Sequence, residues 1–160
     1  MEINVLIDED LDGELEISWL QYIVEQALIA LDTGSDIELG LVITNQEKMR
    51  QLNRSYRGKD EPTDVLAFAM HPAEQMPEAD SPPFIAPPDG VQHLGEVIIS
   101  YPQAAIQAGE HQHSVKREIA ILIIHGLLHL LGYDHETHEQ EHIMSTKEAG
   151  ILSRLEEELS

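Results

Sequence analysis

The stretch Ser114 to Gly132 reads SVKREIAILIIHGLLHLLG. Ser114 is a good helix cap, the run behind it is apolar almost throughout, and Gly132 supplies a stop. The spacing predicts a long apolar helix from Ser114 to about Leu131. Two histidines interrupt it, His125 and His129, four residues apart. Four residues turn a helix by about 400°, so both rings leave one face, separated by roughly 6 Å along the axis. Gly132 lets the chain reverse, and His135 follows three residues later.

Working outward, Ile3 to Ile7 alternates as a first strand, and Ser18 to Leu31 has the apolar spacing of an amphipathic helix. Ile37 to Thr44 (IELGLVIT) reads as a second strand. Thr44 and Glu47 have the spacing of a capping box, which opens a helix through about Arg54. Gly58 to Thr63 is a turn, and Val65 to Met70 (VLAFAM) a buried strand. Residues 71 to 93 hold six of the eight prolines and follow neither period, the signature of a long surface loop or flap. Gly95 to Ser100 returns to strand, and Pro102 to Glu110 suits a short helix with proline in its first turn. Beyond the histidine stretch, Thr137 and Gln140 form a capping box for a last helix reaching near Leu159. The expected fold class is α/β (α+β). A single mixed sheet of about four strands packs with about five helices, and the three histidines of a candidate metal site lie on the long apolar helix and the turn after it. Residues 1–160 are read as one domain with a proline-rich insert at 71–93.

The absence of cysteine excludes disulfides, thiolate ligands and a catalytic thiol. The longest apolar run, Ile119 to Ile124, is far below the roughly 20 residues that span a bilayer. The N-terminus carries no positive segment of a signal peptide, so a cytosolic location is expected. Nine Lys and Arg against thirty Asp and Glu give a net charge of −21, which repels nucleic acid and anionic membranes over most of the surface. The distribution is uneven. The first 47 residues contain twelve acids and no Lys or Arg, whereas Lys48, Arg50, Arg54, Arg57 and Lys59 fall in a window without acids. That window reads either as a helix face paired with acids elsewhere or as one positive patch for an anionic ligand.

His125, His129 and His135 form His-x3-His-x5-His. Three neutral imidazoles leave a fourth tetrahedral position open, as in catalytic zinc sites; copper or nickel would also accept these ligands. The spacing matches the metzincin pattern except that Gly126 stands where those peptidases carry the glutamate that deprotonates water. A phosphodiester substrate asks instead for cationic stabilisation, which the basic window can supply. A second sequence, His138-Glu139-Gln140-Glu141-His142, spells the zincin motif. Its acids crowd a helix start, where they favour the dipole and solvent, so it is read as coincidental. His71, His93, His111 and His113 are expected at the surface, with His93 at the edge of the flap and able to approach the site.

The segment His125-Gly126-Leu127-Leu128-His129-Leu130-Leu131-Gly132-Tyr133-Asp134-His135 resembles the defining motif of the YbeY family, metal-dependent endoribonucleases of rRNA maturation. Asn53-Arg54-Ser55-Tyr56-Arg57 and Pro62-Thr63-Asp64-Val65-Leu66-Ala67-Phe68 resemble two further family segments, and Gly95 to Ser100 a third. The resemblance spans about residues 37 to 155. Ala67, Glu96 and the enlarged insert depart from the family pattern and leave the metal motif intact. The resemblance implies a single-strand-preferring endoribonuclease acting in 16S rRNA 3′-end maturation and ribosome quality control. It implies one zinc on His125, His129 and His135, and Arg57 as the active-site cation. Arg54 and Lys59 are candidate phosphate contacts. Asp64 is a candidate to orient Arg57 or a ligand histidine, or else a turn residue. The expected partners are rRNA, the ribosome or its small subunit and ribosome-associated proteins, with no membrane and no DNA. The rival readings are a metallopeptidase and a non-catalytic ribosome-assembly module with a structural metal.

Overall fold

The structure is a computed structural model that describes residues 2–11, 15–33, 36–58, 63–69, 92–133 and 137–156. Four strands, β1 (Glu2–Ile7), β2 (Ile37–Thr44), β3 (Val65–Ala69) and β4 (Gln92–Ser100), form one sheet in the order β1-β2-β4-β3. β1 and β2 are parallel, β2 and β4 are parallel, and β3 runs antiparallel to β4, so the sheet is mixed as expected. Five α-helices are described: α1 (Ile17–Ala30), α2 (Gln46–Arg57), α3 (Tyr101–Glu110), α4 (Val115–Leu130) and α5 (His138–Arg154).

Strand alternation gives the sheet two unlike faces. Leu39, Leu41, Ile43, Val97 and Ile99 share the main core with Leu20, Ile23 and Leu28 of α1, with the apolar run of α4 and with Met144, Ile151 and Leu155 of α5. The other face is covered by α2 through a small cluster of Met49, Leu66 and Ile98. No described helix is long and apolar enough to cross a membrane.

Helix α4 lies close to the sheet because Gly126 has no side chain. A Cβ there would stand 2.7 Å and 3.0 Å from the two methyls of Val97 on β4. Val97 is β-branched and buried, so it cannot swing aside cheaply. Gly126→Ala is therefore expected to destabilise the protein by about 1–3 kcal/mol. Denaturant titration would check this, and Gly126→Ala/Val97→Ala should cost less than the two single changes added together. The contact also bears on the metzincin comparison, because a side chain at 126 would start into β4.

The caps follow the sequence reading at Ser114, whose hydroxyl accepts from the Arg117 N–H, and at Thr137, where the box with Gln140 is complete. The second helix differs. Its cap is Asn45, whose Oδ1 accepts from the Lys48 N–H at 2.8 Å, and not the Thr44–Glu47 box. Thr44 stays in β2, buried, and its hydroxyl bonds to Asp8 instead. The proline-rich flap is largely outside the described residues. Its last two positions are corrected: Gln92 and His93 are already β4, paired with Ile37 and Glu38. The Gly58–Thr63 turn lies mostly outside the described residues as well. α5 is described to Arg154, short of Leu159.

At the far end of α5, the Arg117 guanidinium donates to Glu156 at 2.8 Å and holds that carboxyl below the usual carboxylate range. The stabilisation is present above the ordinary carboxylate pKa and is lost as pH falls through the lowered one. The pair is solvent-exposed, so its effect is small and screened by salt.

Candidate metal centre

Positions 121, 125 and 129 of α4 are half-exposed, while residues 118–120, 122–124 and 126–128 are buried. The seam left open on this packed helix therefore carries the two histidines. Their rings meet edge to face with centroids 4.6 Å apart, and Nε2 of His129 lies 3.1 Å from Nε2 of His125. Two nitrogens at 2.0–2.1 Å from one tetrahedral zinc stand about 3.3 Å apart. The pair needs a shift of only a few tenths of an ångström to share an ion, so these residues fit the implied metal.

The other nitrogen of His125, Nδ1, lies 3.0 Å from Oε1 of Glu148 on α5. The sequence reading missed this residue. Its signal was present: Met144, Glu148, Ile151 and Leu155 form one stripe of α5, and a carboxylate on an otherwise apolar stripe calls for a polar partner.

The turn behind His129 has the form expected of Gly132. Its φ is +96°, which favours glycine. Its N–H donates to the His129 carbonyl, and the Tyr133 N–H to the Leu128 carbonyl, which closes α4 in a Schellman motif. The chain is thereby turned directly after the second histidine. His135 and Asp134 lie outside the described residues.

The basic window divides. Lys48 pairs with Asp8 at 3.6 Å, in line with the paired-face reading. Arg54 is exposed on α2 and makes no ion pair among the described residues. Arg57 is the last residue of α2, and the position of its side chain lies outside the description, as does Lys59. The segments that carry the family resemblance meet: Tyr56 packs on Phe68 with ring centroids 4.9 Å apart, and Asn53 is buried. The carboxylate of Asp64 accepts from Gln107 of α3 at 3.2 Å; the Arg57 side chain and His135 lie outside the described residues.

The remaining histidines are not uniformly surface residues. His93 is in β4 and its Nδ1 lies 2.8 Å from Glu38 of β2. It lines a hollow with Asn4, Leu6, Val42 and Glu96 on the sheet face away from α4, and so does not join the His125–His129 pair. His113 is half-buried, and with exposed His111 it contacts one oxygen of buried Glu118, at 2.6 Å and 3.0 Å. This cluster of His111, His113 and Glu118 could hold a metal ion. Its spacing at Oε1 is nevertheless that of a buried carboxylate oxygen accepting two N–H groups. His138 to His142, the second zincin-like sequence, occupies the exposed first turn of α5, and its Gln140 is engaged in the cap.

A mixed four-stranded sheet whose buried helix opens a facing histidine pair defines a small α/β domain with a candidate metal-ligand pair. The chain belongs to the Endoribonuclease YbeY family, which it matches over residues 6–156. An Endoribonuclease YbeY of Dehalococcoides mccartyi is 46% identical over 159 residues, 98% of either chain. One from Desulforamulus reducens is 40% identical over 153 residues, 96% of this chain and 95% of that one. The solution structure of a Thermotoga maritima protein shares the fold with a TM-score of 0.59 at 22% identity, covering 98% of this chain and 93% of that one.

Proposed function

We propose that the protein is a zinc-dependent, single-strand-preferring endoribonuclease acting in 16S rRNA 3′-end maturation and ribosome quality control. Its place of action is the cytoplasm, with rRNA and the small ribosomal subunit as partners. The observation that carries the reading is the facing Nε2 pair of His125 and His129, inside the motif that matches the family. His135 completes the ligand set, one ion per chain. When bound, the ion supplies a Lewis acid at the scissile phosphodiester. Arg57 neutralises charge that develops on the phosphate oxygens, while Arg54 and Lys59 hold the RNA backbone without reading its sequence. With a net charge of −21, the protein repels RNA over most of its surface, which favours contact at the C-terminal end of α2.

A fluorogenic single-stranded RNA and a casein digest, each with and without chelator, test this reading. Chelator-sensitive RNA cleavage without proteolysis supports it. Metal-dependent proteolysis without RNA cleavage overturns it. RNA binding without cleavage would point to the assembly module.

Metal removal is expected to lower the thermal midpoint without unfolding the protein. An ion held at 100 times its Kd stabilises the native state by about 2.7 kcal/mol. For a protein of this size that corresponds to roughly 5–10 °C. The sheet and its core do not pass through the histidines, so cooperative unfolding should persist in chelator. Scanning calorimetry of the loaded and chelated protein would show the shift, and an unmoved midpoint would count against an occupied site.

A further inference from the structure

The stripe of α5 that faces the core runs Met144, Glu148, Ile151 and Leu155, and three of its four members are buried and apolar. An apolar residue at 148 would extend the core, yet a carboxylate stands there with its side chain 24% exposed. Its oxygen lies 3.0 Å from Nδ1 of His125, and the opposite nitrogen of that ring is the one that faces His129. We propose that Glu148 is a positioning residue for the metal site, acting through His125; the proposal rests on the reading of His125 and His129 as ligands.

Neutral imidazole carries one N–H, on either nitrogen, and only the bare nitrogen can bind an ion. In accepting the Nδ1–H, Glu148 selects the tautomer whose Nε2 lone pair points toward His129. It also anchors the ring against rotation, because α5 is itself fixed by its capping box and by Met144 and Ile151. The contact is partly withdrawn from water, with the His125 side chain 33% exposed, so solvent competes for it less than at a fully exposed pair. A carboxylate in this place also adds negative charge one ring away from the cation. Partners of this kind typically govern metal affinity by 10–100-fold.

The experiment is zinc competition against a chromogenic chelator for wild type, Glu148→Gln, Glu148→Ala and His129→Ala, alongside long-range proton–nitrogen spectra of the histidine rings in the metal-free proteins. Glu148→Ala is expected to weaken zinc about 10–100-fold. Glu148→Gln keeps an acceptor of the same shape and should fall between Ala and wild type. In the spectra, His125 should be the Nδ1–H tautomer in wild type and should lose that preference in Glu148→Ala. A role confined to helix packing would lower stability and leave the tautomer alone, which would overturn the proposal. So would Glu148 variants that bind zinc as wild type does while His129→Ala does not, an outcome that leaves the ligand reading standing. If His129→Ala binds zinc as tightly as wild type, the ligand reading itself falls and takes this inference with it.

Discussion

His129→Ala is expected to purify without stoichiometric zinc, whereas the wild-type protein is expected to hold about one ion per chain. Two imidazoles whose Nε2 atoms stand 3.1 Å apart on one helix pay little ordering entropy to close on an ion. Removing one of them leaves His125 and a residue beyond the turn, and two ligands hold zinc poorly where catalytic sites use three. The fold should survive, because His129 sits on the half-exposed seam of α4 and contributes little to the core. His138→Ala and His142→Ala should keep the metal, since both residues are exposed in the first turn of α5. Metal analysis after dialysis against a zinc buffer checks all three. Loss of zinc in the α5 variants with retention in His129→Ala would reverse the ligand assignment.

Arg57→Ala is expected to keep its fold and its zinc yet cleave single-stranded RNA at least tenfold more slowly. A donor that meets charge mainly in the transition state lowers turnover more than ground-state binding. Loss of one such donor typically costs about 10²–10³ in rate. Arg57 closes α2, and Lys48 at the other end of that helix is already engaged by Asp8. Arg57→Lys should recover only part of the rate, because an ammonium cannot make the bidentate contact. Single-turnover cleavage with matched zinc content is the measurement. Equal rates for wild type and Arg57→Ala would reduce this residue to a surface cation.

Much of the fold was legible because it is written in local periods. β2 begins and ends where its alternation does, at Ile37 and Thr44, and α4 and α5 start from the caps read at Ser114 and Thr137. The failures occur where a partner distant in sequence decides. Thr44 looked like a cap, but its hydroxyl is claimed by Asp8, 36 residues away, and Asn45 caps in its place. Gln92 and His93 looked like the end of a loop. Parallel pairing with Ile37 and Glu38 draws them into β4, and an irregularity in register after Glu38 absorbs Leu94.

The candidate site divides along the same line. That His125 and His129 share a face follows from the sequence alone, because four residues are about one helical turn and a turn has one geometry. That the seam they occupy is the open one, that Gly126 is needed against Val97, and that Glu148 meets the ring of His125 were decided by tertiary structure. Those contacts join α4 to β4 and to α5, and no local period encodes which stripe of one element will lie against another.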